Sequence, residues 1–328
     1  MRLTNETPHP ADLFRSNHER DVMYNALVSR VRYRLGDDQP LVVETGPGKL
    51  RDLRRAPFAD AYGEFTPDQI YGRIGTDLII LGDAGAPEGP AASVDVRVLA
   101  GAYDLSLRIH GERVWERRFG VGGLHPSAPT HFTTLPLTYS NAFGGHAPID
   151  LGSVPCADNP EGKGFYLHEA DAAGKPLANI ENLRAPVKTW DDRPDPVATA
   201  PYPRRWALRL SKSLIKNETS GKYELAPGTE FFNCAHPLLS GKPLVTGDWV
   251  RLAGFAVGRS MIGFRLPACP LVAEIQLGTK VHLREPSLEE VLIDLRSGHV
   301  DLTYRKMFHY PIRARQLRRI TLRLKASA

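Results

Sequence analysis

The sequence predicts an all-β fold, sandwich-like or built as two β lobes, with little helix and a long ordered but irregular segment in its centre. Three observations predict it. Short apolar–polar alternations of period two recur on both sides of the centre. Glycine and proline, 29 and 27 residues of 328, punctuate the chain often enough to end each run early. No long amphipathic pattern of helical period accompanies them. This length suits about two ordinary domains, and the pattern divides it into an amino-terminal β-rich lobe (1–138), the irregular segment (139–209) and a carboxy-terminal β-rich lobe (210–328).

The first strand candidates are Ala26 to Leu35 and Leu78 to Leu81. Next, Val94, Val96 and Val98 alternate with Ser93, Asp95 and Arg97, and Tyr103, Leu105, Leu107 and Ile109 alternate with Asp104, Ser106, Arg108 and His110. Ala100-Gly101-Ala102 between them supplies a turn, so the pair reads as a hairpin with one buried face. Arg113 to Phe119 extends it as a third strand. Beyond the centre, strands are expected at Trp249 to Leu252, Ile262 to Leu266, Val272 to Leu277, Lys280 to Leu283, Val291 to Leu295, Val300 to Tyr304 and Arg318 to Leu324. In the last, Ile320, Leu322 and Leu324 face one way and Arg319, Thr321, Arg323 and Lys325 the other. That places the basic residues on the solvated side of a strand, at an edge guarded by charge.

The stretch from Tyr139 to Arg209 follows neither period, which normally marks loop or disorder. Disordered segments are poor in aromatics, whereas this one carries Tyr139, Phe143, Phe165, Tyr166, Trp190, Tyr202 and Trp206. It is therefore expected to be ordered. Gly144-Gly145 allows backbone angles closed to other residues, and Pro160, Pro186, Pro194, Pro201 and Pro203 fix the chain.

Bulk properties exclude several classes. The apolar runs are too short for a membrane span, and the amino terminus lacks the apolar stretch of a secretory signal, so cytoplasmic residence is expected. Cys156, Cys234 and Cys269 are odd in number and far apart, unlike a disulfide framework or a zinc site; they read as buried small hydrophobes. The net charge of +5 comes from 42 basic and 37 acidic residues. Eight of the basic residues lie between Arg305 and Lys325 with no acid among them, leaving 34 basic against 37 acidic elsewhere. Basicity thus belongs to the tail, not to a broad nucleic-acid-binding face.

Chemistry-bearing clusters are few. Asp191, Asp192 and Asp195, with Glu181, offer carboxylates for acid–base work, but Arg193 beside them points instead to an Asp-Arg pair bracing the turn before Pro194. His125, His131, His146 and His168 share a region without a metal-ligand spacing. No nucleophile elbow or acyl-transfer lysine motif is present, and the glycines of Phe119 to Gly123 and of Gly144-Gly145 lack a phosphate-loop pattern. Trp190 and Trp206 suit either stacking on a ligand or a small satellite core.

The central motifs are Tyr139-Ser140-Asn141-Ala142-Phe143-Gly144-Gly145, Asn159-Pro160-Glu161-Gly162-Lys163-Gly164-Phe165, Asn179-Ile180-Glu181, Trp190-Asp191-Asp192-Arg193-Pro194 and Trp206-Ala207-Leu208-Arg209. In this order they resemble the domain-of-unknown-function 2169 family. Asn5 to Pro8, Gly75 to Gly82 and Phe231 to Pro237 extend the resemblance over nearly the whole chain. Departures are Ala178, where proline is usual, and Glu19 to Met23, which lacks the family's commoner glycine-containing turn. The resemblance implies an adaptor chaperone of bacterial type VI secretion, which binds a toxic effector in the cytoplasm, stabilises it and helps load it onto the secretion spike. Its partners would be that effector and the spike or spike-tip protein. Candidate contacts are Tyr139, Phe143, Trp190 and Trp206, with Arg315, Arg319 and Arg323 for an acidic effector. Gly144, Gly145, Asp192, Arg193 and Arg209 are expected to shape the scaffold. No catalytic, metal or cofactor residue is assigned. The alternatives are a hydrolase using Asp192 and His168, and nucleic-acid binding through the basic tail.

Overall fold

Where polar and apolar residues alternate, the computed structural model of the protein pairs them into antiparallel ladders; it describes residues 1–326 except 20, 37–39, 46–51, 87, 121, 204, 226–227, 257, 259 and 313–316. Strand accounts for 46% of the chain and helix for 7%, so the fold is all-β. The strands that build its three larger sheets are β1 (Arg2–Asn5), β2 (Ala11–Glu19), β3 (Val22–Arg34), β4 (Asp77–Leu81), β5 (Ser93–Ala100), β6 (Tyr103–His110) and β7 (Ile180–Asn182), followed by β8 (Trp249–Ala253), β9 (Met261–Arg265), β10 (Leu271–Leu277), β11 (Lys280–Arg284), β12 (Ser287–Asp294), β13 (His299–Pro311) and β14 (Arg318–Leu324).

The largest sheet runs β2-β3-β13-β12-β4, with Val42–Val43 added beside β3. A second runs β7-β6-β5-β8-β9, and a third β1-β14-β10-β11. Each sheet joins strands from both ends of the sequence, and one hydrophobic core reaches all three. Segments 1–138 and 210–328 are therefore interleaved, not folded as separate lobes. The reason is pairing: β3 finds its partner in β13, β5 in β8, and β1 in β14.

The hairpin expected at Val94 to Ile109 forms, register Val94↔Ile109 through Ala100↔Tyr103, with alternate residues buried. Its expected third strand does not. Only Trp115–Arg117 is extended there, and it pairs with Leu124–Pro126. The open side of β6 instead takes β7 from the central segment, Ile180 opposite Ile109. β4 has all five residues buried and lies parallel to β12, which explains its unbroken apolar run. β14 is an interior strand between β1 and β10, which corrects the expectation of an edge. On its polar face Arg323 bonds Glu6 at 2.8 Å and Glu274 at 2.7 Å. Between β2 and β3, Asp21 takes φ 71°, the left-handed conformation that a glycine-containing turn would meet without steric cost.

Candidate functional site

The centre of the chain is held by backbone recognition. Asn159 donates its Nδ2 to the Tyr139 and Phe143 carbonyls, both at 2.8 Å, and its own carbonyl accepts from Gly145 at 2.8 Å. Phe143–Gly144 and Lys163–Gly164 run parallel beside it. Gly144 and Gly145 sit at φ 148° and 98°, and a Cβ on either would run into a carbonyl, that of Asn159 or of Gly162. The two glycines are thus fixed by close backbone approach.

The remaining central motifs brace neighbouring elements. Asn179 bridges the segment to β6, accepting from His110 N at 2.8 Å and donating its Nδ2 to the His110 carbonyl at 3.0 Å. Glu181 pairs with Arg113 at 2.5 Å, both buried. The Asp192 carboxylate accepts from Lys188 N at 2.7 Å and Thr189 N at 2.9 Å. Burial opposes its ionisation, but these amides prevail and lower its pKa. Arg193 donates to the carbonyls of Tyr166 and Asp192 and lies over the Phe165 ring. Asp192 and Arg193 therefore each grip backbone; this replaces the expected brace between the two. Arg209 is buried and donates to the Tyr202 and Phe231 carbonyls and to Thr66 Oγ1. Burial lowers its pKa.

Of the candidate contact residues, Tyr139, Phe143 and Trp206 are only 3%, 6% and 3% exposed. Tyr139, Tyr202 and Trp206 stack edge-to-face on one another with centroids 5.0–5.4 Å apart. These three candidates are interior packing and leave little surface to a partner, because a satellite core of large rings stabilises a segment that lacks a ladder. Trp190 stays half-buried against the small cluster of Trp115, Tyr166 and Leu177. Arg319 is exposed, Arg323 is paired as above, and Arg315 lies outside the described residues. Elsewhere in the tail Arg305 is buried on Glu289, and Lys325 bonds Glu285. Three of the run's basic residues, Arg305, Arg323 and Lys325, are thus paired with acids from elsewhere in the chain.

Two of the candidate histidines are similarly occupied. His125 bonds the Gly122 carbonyl and His146 the Ser153 hydroxyl, while His168 precedes a single helical turn, Glu169–Ala172. All three thiols have pKa values raised by burial, Cys269 to about 11, which makes them poor nucleophiles at neutral pH. Among the described residues no group of three or more His, Cys, Asp or Glu is arranged to hold a metal ion.

Two features escape a reading of the sequence. One is a buried charge network: Arg30 and Arg54 bind Asp68 at 2.7 and 2.9 Å, Arg54 binds Glu290 at 2.6 Å, and Arg73 lies between Glu290 (3.4 Å) and Asp77 (3.5 Å). Burial alone would raise the Asp68 and Glu290 pKa values, but the arginines around them override it and hold both low. The only hint in the sequence is the polar residues set among apolar ones in β3. The other is Trp249, 42% exposed on β8 between the guanidinium groups of Arg251 and Arg265, 5.1 and 4.5 Å from its ring.

A strand-rich scaffold with one shared core, whose irregular centre is gripped by its own amides and carbonyls, is the class of protein that these features define. The chain belongs to the family described as "uncharacterized protein conserved in bacteria (DUF2169)", whose model matches residues 18–305. No curated protein and no solved structure matches it.

Proposed function

We propose that this protein is an adaptor chaperone that binds a type VI secretion effector in the cytoplasm of the producing cell, stabilises it and assists its loading onto the spike. The supporting observation is the placement of exposed apolar side chains on terminal strands of the sheets. Met261 (54%) projects from β9, and Val281 (52%) and Leu283 (62%) project from β11. An open edge offers unpaired backbone donors and acceptors, and apolar groups beside it favour strand addition by a partner. The motif-bearing centre contributes rigidity, since the amides of Asn159 and Asn179 and the side chains of Asp192, Arg193 and Arg209 grip its backbone.

Such binding stabilises a client by mass action, about 2.7 kcal/mol when free adaptor stands a hundredfold above the dissociation constant. The interface would bury on the order of 1,600 Å². Deleting the gene in a secreting bacterium and following each toxin's cellular level and its attachment to the spike tests the reading. One toxin is expected to fall in both. Unchanged levels and loading of every toxin would refute it.

A further inference from the structure

We infer that the outer edge of β9 is the docking site for an extended partner segment carrying aliphatic and acidic residues, added as a further strand to the five-stranded sheet. The inference deepens the adaptor reading and rests on it.

A groove of about 430 Å³ is lined by Pro40, Leu41, Trp249 and the run Gly263 to Pro267. Consecutive residues, the last three of β9 and the two that follow it, line the groove although the Phe264 and Leu266 side chains are buried in the core, 2% exposed each. The groove therefore faces the strand's backbone edge-on, the geometry that strand addition requires. β9 ends its sheet, with its other side paired to β8 from Trp249↔Arg265 to Ala253↔Met261.

Side chains define the occupant. The Trp249 ring lies over Gly263, where an added Cβ would stand 3.8 Å from its Cζ3, so the indole offers its remaining surface to the groove. Arg251 and Arg265 flank it, both exposed, and among the described residues neither forms an ion pair with a carboxylate. Arg265 donates to the Gly247 carbonyl, at 2.9 Å. Tryptophan and arginine are the residue types that dominate binding energy at protein interfaces. Two guanidinium groups unpaired with acids among the described residues select carboxylates on the exposed face that they share with the indole and Met261, and the alternate, aliphatic residues of the segment would continue the buried face of Ile262 and Phe264 beside Leu41.

Isothermal titration with synthetic acetyl-Val-Glu-Val-Glu-Val-Glu-Val-amide as the probe tests this. The peptide is expected to bind, and to lose at least tenfold in affinity when lysine replaces glutamate, when its amides are N-methylated, and when the protein carries Arg251→Ser with Arg265→Ser. That double substitution alters exposed side chains and keeps the indole, so it leaves folding intact; Trp249→Ala is the second variant and should lose as much. Absence of binding, or affinity indifferent to charge, methylation and both variants, overturns the inference. Capture of the co-expressed effector separates the two readings. Effector held equally by the native protein and the double variant would remove this docking edge and leave the adaptor function standing. Effector held by neither, with the peptide still bound to the native protein, would remove the adaptor function alone.

Discussion

The Asp77 carboxylate accepts from the Asn233 side-chain amide at 2.7 Å, joining two sequence motifs 156 residues apart. Its other oxygen accepts from Cys234 N, also at 2.7 Å, and Asn233 in turn grips the backbone on both sides of Ile74 N and O. Arg73 stands 3.5 Å away. Asp77 is thus the junction between the start of β4, the segment Phe231 to Pro237 and the buried charge network.

Replacing Asp77 with alanine removes an acceptor from the Asn233 amide and from Cys234 N and the counter-charge beside the buried Arg73, although Asn233 keeps the Ile74 carbonyl and Arg73 the Phe232 carbonyl. Removing one partner from such a buried set costs about 3–5 kcal/mol. Urea denaturation should show that loss, and Asp77→Asn, which keeps an acceptor, should lose less. Equal stability of Asp77→Ala and the native protein would dissolve the junction.

Gly144 and Gly152 both sit at positive φ, 148° and 131°, but their surroundings differ. A Cβ on Gly144 collides with the Asn159 carbonyl, whereas one on Gly152 meets nothing within 4 Å. Backbone strain is common to both substitutions, so the difference isolates the collision. Gly144→Ala should cost roughly 2 kcal/mol more than Gly152→Ala. Matched thermal melts of the two variants check it; equal costs would mean that conformation alone selects the glycine.

Period-two patterns made the two-strand hairpin and most carboxy-terminal strands legible, because a side chain's face follows from its parity. β2 was hidden: its residues, including Asp12, Arg15, Ser16 and Asn17, mask any alternation. The interleaving of the sheets was hidden too, since local pattern carries no record of partners such as Ala26 and Met307. In the centre, the motifs announced order, but not that Tyr139 and Trp206 face inward; aromatic content fits a core and an interface equally. Trp249 escaped because its significance comes from Arg265 across the ladder, a neighbour only after folding.

His236 makes stability depend on pH. Leu238 N donates to its Nδ1 at 3.1 Å and its Nε2 donates to the Pro196 carbonyl at 3.2 Å, which requires the neutral ring. Burial pulls its pKa from the usual 6.5 down to about 4. Between those values the unfolded chain binds a proton that the folded chain refuses, so acidification from pH 6.5 to 4 removes roughly 3 kcal/mol. Glu290 adds to the loss from about pH 4.5 and Asp68 from about 3.8, their ordinary values, because the unfolded carboxyls take up protons there while the folded ones stay ionised, and the loss grows until the pH falls through their lowered folded values. Urea midpoints measured from pH 7 to 4 should fall steadily, and His236→Asn should make the slope shallower. An unchanged slope in the variant would clear His236 of the effect.

Trp206 and Trp190 occupy opposite roles despite their similar settings in the sequence. Trp206 completes the ring cluster with Tyr139 and Tyr202, so Trp206→Ala opens a cavity in a segment with few other apolar supports and should cost about 3–5 kcal/mol. Trp190 packs one side against the Trp115 cluster and leaves the rest accessible, so Trp190→Ala should cost less than half as much. Partner capture must then be compared at a temperature where both variants remain folded. Under that condition Trp206→Ala should retain the partner, since its ring offers almost no surface. Loss of capture by folded Trp206→Ala, with Trp190→Ala still binding, would reverse the assignment and make the ring cluster part of the interface.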